Sequence, residues 1–273
     1  MAIELAIGAP ISMMNSICPK GQIELCFTHL LKENNTAYKQ YYLDAKAKGR
    51  FVILDNGIME LGYSMSADDL LSVSAELKPD LVTPPEILND SHSTLKMTYE
   101  FIKVFETSGL YPNTKIFGVA HGATLKDWCS SFEELLQIPQ IARIGVPYDI
   151  PFDVYTSTER SINRLKNLVI RRTELCNWIA ENHPSAPIHL FGLAHPSELP
   201  LQAKHSFIKS IDTSLPVMAA INNIKYEVSD FGIYEKKVLD INLPYDKRSV
   251  ELALHNISIV NNFWLSSNYK HHE

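Results

Sequence analysis

The sequence predicts an α/β protein of the (β/α)8 TIM-barrel type, a single domain over residues 1–273, and three observations predict it. Short segments dominated by Ile, Val, Leu and Phe recur along the chain, each stopped by turn residues. Helical periodicities fill the intervals, so the repeat is strand then helix at roughly 20–45 residues per unit, the βαβ period. No Gly-rich dinucleotide or phosphate-loop fingerprint follows the first segment, which disfavours the runner-up, a doubly wound open sheet.

Each element has a local reason. Residues 2–7 are the first apolar segment and end at Gly8 and Pro10. The second, residues 51–55, is stopped by Asn56-Gly57; the third, 80–83, by Pro84-Pro85; the fourth, 115–120, by His121-Gly122; the fifth, 142–146, by Pro147. Residues 188–193 and 207–212 are the sixth and seventh. Near-continuous apolar runs suit parallel strands covered on both faces. Ser66-Ala-Asp-Asp69 is a capping-box-like start, and Leu70, Leu71, Val73 and Leu77 follow it at helical spacing. Further helices are expected over about 92–107, 123–137, 158–182, 196–205 and 248–264. Residues 224–245 lack a clear period and are assigned an irregular eighth unit. No Ser/Gly/Pro-rich linker divides the chain.

Composition excludes several classes. With 45% hydrophobic residues, 12 Tyr, 11 Phe and no long charge block, the bulk of the chain is not disordered. No apolar stretch is long enough for a transmembrane helix, and the first residues carry an acid and no basic leader, so a cytoplasmic protein with no membrane partner is expected. Cys18, Cys26, Cys129 and Cys176 form no C-x-x-C pair, and reduced buried thiols are expected. No His/Asp/Glu set has metal-ligand spacing, so neither metal nor cofactor is expected. The net charge of −6 means that nucleic acid could be held only by a local basic face. Arg160, Arg164 and Arg171 lie on one predicted helix with Lys166 and Arg172 nearby; Lys46, Lys48 and Arg50 form a second group, and Lys247-Arg248 opens the last helix, where cations oppose the dipole. These groups read either as a phosphate track or as solvated faces.

In a barrel, side chains at the carboxyl ends of the strands converge on one face. The residues expected there are Asp55, Glu86, His121, Gly145, Asp149, His195 and Asp212. Several carboxylates meeting in one concavity suit acid/base or nucleophilic chemistry. Taken singly, Asp55 before Asn-Gly reads equally as a turn residue and Asp212 before Thr-Ser as a cap. His189 lies within a strand and reads as buried and satisfied; Trp128, Trp178 and Trp264 read as core anchors.

At these positions the chain resembles the tRNA-guanine transglycosylase superfamily, a family of (β/α)8 barrels. Leu54-Asp-Asn-Gly-Ile-Met-Glu60 resembles its D-S-G-G-[FY]-Q, and Asp80-Leu-Val-Thr-Pro-Pro-Glu86 its strand ending in a base-binding Asp. Phe117-Gly-Val-Ala-His-Gly122 resembles F-G-I-V-Q-G, and Ile144-Gly-Val-Pro147 sits where the family has G-G-L. His189-Leu-Phe-Gly-Leu-Ala-His-Pro-Ser-Glu198 resembles H-L-[ML]-G-[VI]-G-x-P-x-[DE], and Ser210-Ile-Asp-Thr-Ser-Leu-Pro216 resembles F-D-C-V-L-P. The six occur in the family's order across about 50–220. Glu stands for Asp at 86 and His for Gln at 121, the Arg after L-P-T is missing, and no residues supply the C-x-C-x-x-C…H zinc site of the tRNA-acting members. The departures favour resemblance to the shorter, zinc-less DNA-guanine transglycosylases of phages and mobile elements, with a host-cytoplasmic location for a phage-encoded chain.

The resemblance implies exchange of guanine in DNA for a 7-deazaguanine base such as 7-cyano-7-deazaguanine. Asp212 would be the nucleophile at C1′ and Asp55 the general acid/base. Glu86 would accept from the guanine Watson–Crick edge, with His121 and the Gly145 backbone around O6. Asn56, Met59 and Met218 are expected as pocket walls, with His195 facing the site. The partners implied are DNA, single-stranded or with a flipped guanine, the free 7-deazaguanine base, and a helper protein where duplex must be opened. The alternatives are a zinc-less tRNA-guanine transglycosylase and a non-catalytic nucleic-acid-binding barrel subunit.

Overall fold

The computed structural model describes residues 3–33, 35–155, 164–227 and 239–269, the last seven as backbone alone. Eight strands alternate with helices: β1 Glu4–Ile7, β2 Glu24–Phe27, β3 Val52–Asp55, β4 Leu81–Val82, β5 Lys115–Val119, β6 Ile141–Pro147, β7 Ile188–Phe191 and β8 Ile208–Thr213. The helices are α1 Met14–Ile17, α2 Thr28–Lys32, α3 Thr36–Ala47, α4 Ile58–Leu61, α5 Ala67–Leu77, α6 Ser91–Thr107, α7 Leu125–Leu136, α8 Arg164–Asn182, α9 Leu199–Gln202, α10 Leu215–Ile221 and α11 Lys247–Tyr269. All eight strands belong to one parallel sheet, and the fold is the (β/α)8 TIM-type barrel that the strand-helix rhythm predicts.

The chain packs as two compact units. One holds residues 23–146 and 151–153, in which β2, β3, β4, β5 and β6 pair in that order. Every residue of β3 is buried, as are Ile116–Val119 of β5, which explains their uninterrupted apolar composition. The helices here begin where short polar side chains can take an orphan N–H: Asn35, Ser66, Asp90 and Thr124 each accept from a backbone N–H three residues on. Trp128 stacks on Phe132 at 4.9 Å in the core, as an anchor. The start of α7 rides directly on Gly122: a Cβ there would lie 2.3 Å from the Trp128 nitrogen, so only glycine fits.

The other unit holds residues 1–22, 147–150 and 154–273, in which β8 lies between β1 and β7. In β7 and β8, His189 is in register with Ser210 and Leu190 with Ile211. Asp246 opens α11 by accepting from the Arg248 and Ser249 amides, which offsets the cations beside it. Buried Asn256 of α11 pins the chain after α10, accepting from the Tyr226 N–H at 2.8 Å and donating to the Pro216 and Ile224 carbonyls.

Two expectations are corrected. The eighth unit does not lie in 224–245, where the described residues hold no barrel strand; the missing strand is β2, hidden in the long first interval. β2 opens with an acid, Glu24, which is buried yet matched by the Arg50 Nε at 2.5 Å and the Tyr41 hydroxyl at 2.9 Å. Burial nonetheless holds the Glu24 carboxyl above its ordinary range, with Arg50 opposing. The expected Lys46–Arg50 basic group is likewise no phosphate track. Lys46 bonds Asp80 at 2.7 Å and Arg50 bonds Glu24, so both pin the amino-terminal ends of strands. The helix expected over 158–182 is described from Arg164 on, and residues 196–205 contain a 3-10 turn and the short α9. Arg160 and the Trp264 side chain lie outside the described residues.

Candidate functional site

In each unit the carboxyl ends of the parallel strands carry one group of acids and imidazoles. In the first unit the group is built on the loops after β2 to β5. Asp55 ends β3 and is buried; its Oδ1 accepts from the Gly57 N–H at 2.7 Å, and its carbonyl accepts from the Thr28 hydroxyl at 2.7 Å. Gly57 has φ +76°, and a Cβ on it would lie 2.7 Å from the His29 Nδ1. The turn therefore needs glycine twice, for its left-handed backbone and for the imidazole against it. His29 comes from the unrecognised β2–α2 junction; burial pulls its pKa down, with Glu33 opposing.

Asn56 is wholly buried and its amide is spent within the protein: Nδ2 donates to the Pro84 carbonyl at 2.8 Å and Oδ1 accepts from the Ile58 N–H at 3.0 Å. It is a strap between two loops rather than a pocket wall. Met59 on α4 is half exposed. A second strap follows, because the Ser64 hydroxyl donates to the Glu86 carbonyl and accepts from the Glu86 N–H, both at 2.9 Å.

These straps present the Glu86 carboxylate to His121. Glu86 Oε2 and His121 Nε2 are 3.0 Å apart, and both side chains are buried. The Asn89 N–H points at His121 Nδ1 from 3.3 Å, so Nδ1 is the accepting nitrogen and Nε2 carries the proton toward Glu86. The two residues expected to contact different atoms of a base are thus each other's hydrogen-bond partners. Gly145 is buried in β6, and its carbonyl accepts from the Ala120 N–H at 3.4 Å.

In the second unit the group is built on β7 and β8. Ser210 and Asp212, two apart in β8, share one face of the strand, and His189 faces them from β7. The Asp212 Oδ1 accepts from the Gly192 N–H at 2.8 Å and from His189 Nε2 at 3.1 Å. A carboxylate needs a donor, so Nε2 carries the proton and His189 Nδ1 faces the Ser210 hydroxyl at 2.6 Å as acceptor. His189 and Ser210 are fully buried, whereas the Asp212 side chain is 22% exposed. An oriented carboxylate that meets solvent at a strand's carboxyl end can act as a nucleophile or bind a cationic centre. His189 is buried and satisfied as expected; its bond to Asp212 depends on strand register that no local motif reveals.

The other expected residues have other surroundings. Met218 is buried in α10. His195 caps the turn at 196–198, its Nδ1 accepting from the Ser197 N–H. Arg172 is no part of a surface track: it is fully buried against Glu198. Arg164 is exposed and bonds Asp149 at 3.1 Å, and Arg171 donates to the Ile150 carbonyl at 3.3 Å. Lys247 is exposed, 3.8 Å from Glu251, and Arg248 is exposed beside it. Exposed pairs of this kind contribute about 0–1 kcal/mol, so a phosphate could displace them.

Among the described residues no group of three or more His, Cys, Asp or Glu side chains could hold a metal ion, and no helix is long and apolar enough to cross a membrane. The four cysteines are free thiols, three of them buried. Burial pushes the Cys176 thiol up to about 12, and burial followed by the charge of Asp55 pushes Cys26 well up. No protein-family model matches the chain, and no curated protein is detectably similar to it in sequence.

Proposed function

We propose that this protein exchanges guanine in DNA for a 7-deazaguanine base. The observation that carries the reading is Asp212, whose partly exposed carboxylate is held on one oxygen by the Gly192 N–H and by His189. The reading also draws on the motifs that run in family order from Asp55 to Asp212.

In this reading Asp212 attacks C1′ as the bond to guanine N9 breaks, giving an aspartyl-sugar ester. Asp55 gives a proton to the departing guanine. An incoming 7-deazaguanine loses its N9 proton to Asp55 and attacks C1′ through N9, and the Asp212 carboxylate leaves. Covalent trapping divides a difficult oxocarbenium-like displacement into two easier steps. The His189 N–H stays on Asp212 throughout and stabilises it as a leaving group in the second step. Glu86 accepts from the guanine N1–H and amino group; its hydrogen bond to His121 Nε2 supports this assignment. The target base must be unpaired or flipped, and exposed Arg164, Lys247 and Arg248 are assigned to phosphates.

The test incubates the protein with radiolabelled guanine and either single-stranded DNA, plasmid DNA or bulk tRNA. Label in DNA, with a covalent protein–DNA adduct that Asp212→Ala abolishes, supports the reading. Label in tRNA alone replaces DNA by tRNA as the substrate, and label in neither ends the transglycosylase reading.

A further inference from the structure

Among the described residues, the ion pair Arg172–Glu198 is wholly inaccessible to solvent and takes no part in the site described above. The guanidinium meets the carboxylate as a fork: Nε to Oε1 at 2.5 Å and one terminal nitrogen to Oε2 at 2.7 Å. Gln202 Nε2 adds a longer bond to Oε1 at 3.4 Å. A buried ion pair is a poor way to stabilise a fold, because desolvating the two charges cancels much or all of their attraction. Its retention inside α8 calls for another explanation.

The remaining N–H groups of Arg172 supply one. They donate at 2.8 Å to the carbonyls of Phe191 and Gly192, where β7 ends. The Phe191 carbonyl and the Gly192 N–H belong to the same peptide group, and in a trans peptide they point in opposite directions. That N–H is the donor to Asp212 Oδ1 at 2.8 Å. One peptide plane therefore has the Arg172 cation on its oxygen and the Asp212 carboxylate on its hydrogen. Gly192 adopts φ +59°, a left-handed conformation that only external bonds select for a flexible residue. A cation on the carbonyl also polarises the amide and strengthens its N–H as a donor.

We propose that Arg172, held by Glu198, is a positioning residue that fixes and polarises the Phe191–Gly192 peptide so that its N–H aims the Asp212 carboxylate. The consequence for base exchange rests on the function proposed above; the peptide geometry does not.

Two full-length variants test it: Arg172→Met/Glu198→Leu, which replaces the pair by apolar side chains of similar volume, and Arg172→Lys, which keeps the charge but cannot make the fork. Melting temperature, the Gly192 amide proton shift and hydrogen-exchange rate, and the kcat and KM of guanine exchange are measured on each. The expected result is a folded protein whose Gly192 amide moves upfield and exchanges at least about tenfold faster. The kcat should fall on the order of a hundredfold with little change in KM for DNA, as for a misaimed reacting group. Should the apolar variant not fold, the lysine variant gives the same readouts. A Gly192 amide unchanged from wild type, or a displaced one with kcat intact, overturns the inference. A wild-type protein without exchange activity sinks the functional reading instead, and the Gly192 amide still decides the positioning.

Discussion

Two carboxylate–imidazole pairs lie at strand ends among the described residues, alike in pairing geometry and different in exposure. Glu86–His121 and Asp212–His189 have nearly equal separations, 3.0 and 3.1 Å, and in both the imidazole presents Nε2 to the acid. The tautomers are set differently: the Asn89 backbone N–H at Nδ1 fixes that of His121, whereas the Asp212 carboxylate at Nε2 fixes that of His189 and leaves its Nδ1 to accept from the Ser210 hydroxyl. The difference is water. The Glu86 side chain is 6% exposed and that of Asp212 is 22%. A buried acid already matched to a donor is prepared to accept hydrogen bonds and to discriminate among donors. An acid held on one oxygen and open to solvent is prepared to react. In the proposed function, similar pairs thus take two roles according to access.

Removing Asp212, the proposed nucleophile, should separate the two pairs most sharply. Asp212→Asn keeps the shape and is expected to lower guanine exchange at least about a thousandfold and to abolish the covalent DNA adduct, read by denaturing gel. Glu86→Gln should act on recognition instead, raising KM for guanine by about 10–100-fold with the adduct still formed, because an amide presents one donor where a base also presents one. An equal loss of adduct in both variants would falsify the division of roles. Ser210→Ala leaves His189 free to turn and should lower kcat about 10-fold, seen as a second imidazole tautomer in nitrogen NMR.

Histidines without an acid partner sharpen the contrast further. His29 Nδ1 and His205 Nε2 are buried without a hydrogen-bond partner. Burial lowers both pKa values, and Lys204 reinforces it at His205, whose pKa falls to about 4. Above the ordinary histidine value neither the folded nor the unfolded chain carries these protons. As pH falls below about 6.5 the unfolded chain takes them up first, so stability declines between about pH 6.5 and 4 and then levels off for His205. The loss at His205 should be on the order of 1–2 kcal/mol after allowance for solvent screening, measured as a falling urea midpoint that His205→Gln flattens.

Much of the fold was legible because strands buried on both faces are written as unbroken apolar runs with hard stops, as in Val52–Asp55 before Asn56-Gly57. β2 was not, since it opens with Glu24, and an acid reads as surface until its partners Arg50 and Tyr41 are known. The failure carried a cost at the site, because His29 lies in α2, the helix that follows. The positions of Asp55 and Asp212 at strand ends could be read from the chain. The bonds of His189 could not: it lies on β7 and its partners Ser210 and Asp212 on β8, and their meeting depends on a register shift between Ile188 and His189. Arg172 misled for the opposite reason. It sits among Arg164, Lys166 and Arg171 on one helix, and periodicity alone does not reveal that this arginine has a buried glutamate 26 residues on.

The Asn56 and Ser64 straps have a consequence for anyone who would exchange these loops. Since Asn56 bonds the Pro84 carbonyl and Ser64 bonds the Glu86 backbone, the segments after β3 and β4 form a single cassette. Grafting one of them from another barrel would break both seams at once, so in the proposed function specificity would be transplanted as a matched pair of loops or not at all.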